Sequence, residues 1–279
     1  MPAMRIWHQS FTDLDSFPRY RDTLASHADR VMQGRAQVRV HGLRPGSYPA
    51  GIAPMDVNSV AALRLLGEAQ VCDAALAAQA AGYDAFALGC FFDPALEAAR
   101  SLVDIPVASL TESCLLTACS LGRRFAVVSV TPFQKMLTED LVARYGLRER
   151  AAGVVSMSPA VRLFDLEREE ASRDIAEAFH GACDEALRLG AEVIIPGDGV
   201  LNEFLVRHGW LGFEGAAVLD ALGVLFLHAE FLARGRAVGA LDVSRRRLYA
   251  KPEESMLAHA RRFYGAFVSG EADFSGAKA

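Results

Sequence analysis

The sequence predicts an α/β fold of two pseudosymmetric lobes, each a mainly parallel sheet flanked by helices. Short apolar strand segments alternate with helical segments along almost the whole chain, the order of parallel sheets joined by crossover connections. The run "RRFAVVSV" is apolar without alternation, as in sheets covered on both faces. The chain also echoes itself: "AAQAAGYDAFALGCFFD" and "EALRLGAEVIIPGDGVL" each pass from a helix ending in glycine through a strand into a polar turn.

The elements follow in order. "MRIWH" opens a strand, "FPRYRDTLASHADRVM" has helical spacing and "AQVRVHGL" returns to strand character, a β-α-β start. "GSYPAGIAP" is a turn-rich loop, and "VNSVAALRLLGEAQVCDAALAAQAAG" reads as one long Ala/Leu-rich helix closed by Gly82. After the strand "YDAFALGC", Asp93 is the expected N-cap and Pro94 the first residue of the helix "DPALEAARSLV". "IPVASL" is a strand, "TESCLLTACSLG" a helix, and "RRFAVVSV" a buried strand. "TPFQKMLTEDLVARYGL" is a helix capped by Thr131, "RAAGVVSMS" a strand, and "DLEREEASRDIAEAFHGACDEALRLG" a long amphipathic helix. "AEVIIPGDG" is a strand, then "VLNEFLVRHG" a helix, with a brief strand at 217–219 before a further helix. Residues 1–120 are expected to form the first lobe, with the C-terminal helix free to pack back on it, and 121–235 the second. Residues 236–279 are expected to hold that helix and a mobile tail, "SGEADFSGAKA".

With 52% hydrophobic residues, 279 residues bury a substantial core. The 29 basic and 34 acidic residues give a net charge of -5 without a long basic run, which disfavours nucleic acid and leaves a small molecule as the expected partner. No apolar stretch is long enough to span a bilayer, and "MPAMRIWHQS" lacks the apolar segment of a signal peptide, so a cytoplasmic protein is expected. Five cysteines without C-x-x-C fit a reduced compartment. No zinc spacing, H-E-x-x-H, P-loop or complete G-x-G-x-x-G occurs, so neither a metal nor a nucleotide cofactor is expected.

Ligands of open α/β sheets lie beyond the carboxyl ends of the strands. Cys90 and Asp198 both stand there, one in each predicted lobe. A thiol near a helix start is favoured as thiolate, and the same N–H groups bind a carboxylate or an enolate oxygen. Two blander readings stay open at this point: Cys90 as a small buried apolar residue, and Asp198 as a turn residue or N-cap between permissive glycines.

The block "DAFALGCFFDPALEAARSLVDIPVASLTESCLLTACSLGRRFAVVSVT" resembles the Asp/Glu/hydantoin racemase superfamily, and the likeness continues more loosely through "GAEVIIPGDGV" and "VLDALGVLFLHAEFLARG". The resemblance implies a cofactor-independent, homo-oligomeric isomerase with its active site in the cleft between the lobes and one cysteine from each lobe facing opposite sides of a substrate carbon. Cys90 matches the first cysteine. Where the family pattern reads Gly-Cys a second time, this chain has Gly197-Asp198.

Inversion needs a base on one face and a conjugate acid on the other. With ordinary pKa values near 8.5 and 3.9, moving a proton from thiol to carboxylate costs about 6 kcal/mol, which burial of Asp198 and a helix terminus at Cys90 would reduce. Three functions follow: an unequal Cys90/Asp198 pair racemising a small carboxylate, amino acid or hydantoin-like ring; Cys90 alone in isomerisation or decarboxylation; or a cleft that only binds an anion. His8 and Ser10 occupy the segment that contacts substrate in the resembling family, without its usual Asn-containing pattern. Ser129 and Thr131 are candidate donors to a substrate oxygen, Thr131 being equally a helix cap. Phe91 and Phe92 are candidate pocket walls, Gly197 and Gly199 candidate backbone contacts, and Glu112 a candidate orienting residue or a first-turn helix acid. Asp220 fits a late family Asp and also a helix N-cap.

Overall fold

The computed structural model describes residues 3–168 and 171–264. The first sheet contains β1 (Met4–Ser10), β2 (Ala36–His41), β3 (Ala85–Gly89) and β4 (Val107–Ser109), all parallel, in the order β2-β1-β3-β4. The second contains β5 (Phe125–Ser129), β6 (Ala151–Ser156), β7 (Val193–Pro196), β8 (Gly212–Phe213) and β9 (Ala216–Val218) in the order β6-β5-β7-β9-β8. Its pairs are parallel except the β8–β9 hairpin. The order of the first sheet therefore recurs in β6-β5-β7-β9, and β3 and β7 hold equivalent places.

Strand alternation builds two cores. Ile6, Ala85 and Ala87 face one side of the first sheet; Trp7, Phe86 and Leu88 face the other. The second side is covered by α3 (Ala61–Ala80) and α4 (Leu96–Leu102). The first side carries α1 (Pro18–Met32) and α9 (Ala221–Ala237), and its core runs on through α5 (Leu110–Leu121) into the second sheet without a break. The second sheet is flanked by α6 (Pro132–Arg144), α7 (Ser172–Arg188) and α8 (Gly199–His208).

The helix expected over 57–82 is two helices. The short α2 (Pro54–Asn58) ends at Ser59, and Val60 is extended (φ -88, ψ 105), so α3 starts only at Ala61. Residues Leu163–Glu167 form a 3-10 turn, so α7 is shorter than the amphipathic pattern predicts. A last helix, α10, covers Glu254–Tyr264; the tail expected to be mobile lies outside the described residues. Among the described residues no helix is long and apolar enough to cross a membrane.

Candidate active site

The turns after β3 and β7 meet at one small cleft. Cys90, Phe91 and Phe92 line it from the first turn and Asp198, Gly199 and Val200 from the second. Ser10, Phe11 and Thr12 come from the end of β1, Tyr20 from α1, Met55 and Asn58 from α2, and Gln134 from α6.

Gly89 and Gly197 allow these turns to form. A Cβ on Gly89 would come 2.1 Å from His8 Cε1, and one on Gly197 would come 2.9 Å from both Val127 Cγ1 and the Val128 carbonyl. In each sheet the neighbouring strand, β1 or β5, thus packs directly against the glycine that precedes the site residue.

Cys90 is half-buried. Burial pushes its thiol well above the ordinary range; the Phe92 and Phe91 N–H groups oppose this, and the Asp198 and Asp93 carboxylates add to it. The sequence-based expectation of a helix-stabilised thiolate is therefore corrected. The physical reason is the turn: α4 begins only at Leu96, reached through Asp93 (φ 45) and Ala95 (φ 56) in the left-handed region. Asp93 is not the N-cap either; Ala95 takes that position without a side-chain bond. The Asp93 carboxylate instead accepts from the Thr111 N–H at 3.1 Å and the Tyr145 hydroxyl at 2.6 Å, tying the Cys90 turn to α5 and to the end of α6. Burial raises Asp93 to about 6, against the pull of these donors.

Asp198 is the N-cap of α8. Its Oδ1 accepts from the N–H groups of Val200 (2.8 Å) and Leu201 (3.1 Å), and its Oδ2 accepts from Gln134 Nε2 at 3.0 Å. Burial raises this carboxyl while the Leu201, Gln134 and Val200 donors hold it down. The carboxylate thus caps its helix and lines the cleft at once.

The remaining candidates divide. Ser10, Phe91, Phe92 and Gly199 line the cleft; His8, Ser129, Thr131, Gly197 and Glu112 do not. His8 faces the core because strand alternation turns it beneath Gly89, edge-on to Phe226 at 5.5 Å, and burial together with His41 lowers it to about 3. Thr131 caps α6 by accepting the Gln134 N–H at 3.2 Å. Ser129 is fully buried, and its Oγ would lie 3.3 Å from a Cβ on Gly197. Glu112 pairs with Arg100 on α4.

Sequence reasoning missed the buried groups behind the cleft. Tyr20, Leu24 and His27 share the buried stripe of α1, and polar tips on such a stripe are the signal that could have marked them. His27 bonds Glu203 of α8 at 2.6 Å through Nδ1 and Asp220, the N-cap of α9, at 2.7 Å through Nε2. Burial pulls this imidazole down, but the two carboxylates together raise it to about 9.

A repeated parallel sheet with a thiol and a carboxylate at equivalent strand ends of one cleft defines a pseudosymmetric two-lobed α/β protein. The profile of the family described as Asp/Glu/Hydantoin racemase matches residues 20–205, and the chain belongs to that family. It is 35% identical over 123 residues to the hydantoin racemase of Pseudomonas sp. (strain NS671), a match covering 44% of this chain and 48% of that protein. With the hydantoin racemase of Rhizobium meliloti it is 31% identical over 166 residues, covering 56% and 64%. The chain thus spans about half the length of the first relative and under two thirds of the second. Among solved structures, the allantoin racemase of Pseudomonas fluorescens is 26% identical with a TM-score of 0.67, covering 90% of this chain and 97% of that one. The allantoin racemase of Klebsiella pneumoniae, 21% identical with a TM-score of 0.71 over 90% and 95%, shares the fold.

Proposed function

We propose that this chain is a cofactor-independent racemase or epimerase that exchanges a proton at a carbon next to a carbonyl, using Cys90 and Asp198 as acid and base. The observation that carries this reading is their placement at equivalent ends of β3 and β7, lining one cleft. Burial pushes the Cys90 thiol up and so favours its protonated form, while three donors to Asp198 oppose the upward push of burial there, which suits Cys90 as the acid and Asp198 as the base. Asp198 takes the proton from one face, leaving an enolate, and Cys90 returns a proton to the other.

Turnover in both directions must pass through the carboxylic acid and thiolate, about 6 kcal/mol uphill on ordinary pKa values. Turnover at 1–10³ s⁻¹ corresponds to barriers of roughly 13–17 kcal/mol, so such an intermediate fits beneath them.

The lining favours a neutral ring over a free carboxylate. None of the described residues lining the cleft is Arg, Lys or His, and the N-terminus of α8 is already taken by Asp198. The relatives named as hydantoin and allantoin racemases direct the choice to a five-membered cyclic ureide. One observation favours a second reading: the donors on both Asp198 oxygens oppose its protonation, which suits a single-thiol isomerase or decarboxylase in which only Cys90 delivers a proton.

Enantiopure 5-substituted hydantoins and allantoin incubated in deuterium oxide test both. Deuterium at the ring carbon with inversion is expected, and Cys90→Ala is expected to lower the rate by at least about 10³-fold. Exchange without inversion, a new product or released carbon dioxide favours the single-thiol reading. Absence of any exchange or conversion removes the racemase.

A further inference from the structure

Beside its polar residues the cleft carries an apolar wall that includes Phe11, Pro54, Met55 and Phe92. A cyclic ureide meets polar groups with its ring carbonyls and N–H groups, so the apolar wall is matched by the substituent on the carbon that exchanges its proton. What fixes the position of that wall lies outside the cleft.

Phe11 follows β1 directly and is 3% exposed. Its ring stands at 89° to that of Phe92, with centroids 5.4 Å apart, and its far end lies against Gly67 of α3. A Cβ on Gly67 would come 2.8 Å from Phe11 Cζ and 3.2 Å from Cε2. Gly67 sits inside the 20-residue α3 without a positive φ, a place where glycine costs about 0.5–1 kcal/mol relative to alanine. No turn or left-handed backbone requires a glycine there; the approach of the Phe11 ring does. The backbone beneath the ring is held, because the Phe11 carbonyl accepts from the Tyr48 hydroxyl at 2.9 Å and the Thr12 carbonyl accepts from the Leu43 N–H at 3.0 Å. A side chain at position 67 would therefore turn the ring about its own side-chain bonds, and the cleft is the open space that the ring borders.

We infer that Gly67 is a positioning residue that determines specificity: by admitting the Phe11 ring against α3, it keeps room in the cleft for an apolar substituent on the reacting carbon. This rests on the racemase reading and deepens it. Gly67 does not line the cleft and acts through Phe11.

Gly67→Ala adds one methyl group and raises the helix propensity of α3. Racemisation of 5-benzylhydantoin and 5-methylhydantoin reads its effect. The ratio of kcat/KM, benzyl over methyl, is expected to fall by roughly 10–100-fold, as for a change of one methylene in a hydrophobic pocket. Adding Phe11→Leu, which clears the space beside position 67, is expected to recover most of that ratio. A ratio within about 2-fold of wild type, equal losses on both substrates, or no recovery in the double variant overturns the inference and leaves the racemase standing. A wild-type enzyme that turns over the methyl compound and not the benzyl one overturns it too. If Gly67→Ala does not fold, Phe11→Leu alone tests the ring: the kcat/KM of an indolylmethyl hydantoin relative to the benzyl one is expected to rise, and an unchanged or lower ratio overturns the inference. A folded wild-type protein that exchanges the ring proton of neither hydantoin removes the racemase reading and the inference with it.

Discussion

The turn after β3 and the turn after β7 begin alike and end differently. Each starts with a glycine packed on the neighbouring strand, β1 or β5, and presents its next residue to the same cleft. After Asp198 the chain enters α8 at once, and the helix N-terminus is spent on the Asp198 carboxylate itself. After Cys90 it turns through two left-handed residues before α4, so no helix terminus stands behind the thiol. Symmetric scaffolding thus carries unlike groups: one half presents a thiol, the other a carboxylate tethered by three donors, which in the racemase reading serve as acid and base. The residues following the glycine decide which.

The largest expected effect comes from making the halves alike or disabling one. Asp198→Asn keeps a side-chain oxygen to cap α8 and removes the base. In the two-base reading, proton exchange from the Asp198 face falls by about 10²–10⁴-fold, measured by deuterium entry from each enantiomer separately. Asp198→Cys replaces the tethered carboxylate by a thiol at a cost of about 1 kcal/mol in capping. It retains exchange from both faces, with the pH optimum moved up toward the thiol range. If Asp198→Asn exchanges both faces as wild type does, Asp198 is a cap alone and the comparison holds for structure but not for chemistry.

Much of this arrangement was legible in the sequence. Short apolar runs and glycine-terminated helices placed the strands in order, and the repeated helix-strand-turn pattern identified Cys90 and Asp198 as equivalent. The Asp93-Pro94 pair misled because it carries the local signature of a helix start, while the choice of a left-handed turn was made by partners far along the chain, Thr111 and Tyr145. His8 misled because it shares a face of β1 with Ser10 but sits one pleat deeper: Ser10 ends the strand and lines the cleft, while His8 is packed in the core against Phe226 and Gly89. His27 and Glu203 lie 176 residues apart, beyond the reach of any local pattern.

The His27 cluster sharpens the comparison, since it braces the second half-site from a first-lobe helix. Raised from 6.5 to about 9, His27 contributes stability that is fully present below pH 6.5 and lost as pH rises through 9, on the order of 3 kcal/mol. Asp220, held low against its own burial by His27, contributes in the opposite window and loses its share as acid protonates it. Wild-type unfolding free energy should therefore fall between pH 7 and 10. His27→Gln should be less stable at pH 6 and show a flatter alkaline limb in denaturant titrations. An unchanged alkaline slope would mean the charge on His27 does not hold the two lobes together.

The smallest expected effect lies on the other side, at Asp93. Its carboxyl is raised to about 6, so ionising it costs stability as pH rises from its ordinary value through 6, and the Tyr145 hydroxyl offsets part of that cost. Tyr145→Phe removes a donor to a charged acceptor above pH 6 and to a neutral one below it. The loss should be about 1.5–3 kcal/mol at pH 8 and nearer 1 kcal/mol at pH 5. Because Asp93 fixes the turn that carries Cys90, the same variant should alter the pH dependence of thiol alkylation at Cys90 while leaving proton removal on the Asp198 face largely intact. Equal losses at both pH values would show that Asp93 is protonated throughout, and that the first half-site, unlike the second, is held by a neutral bond.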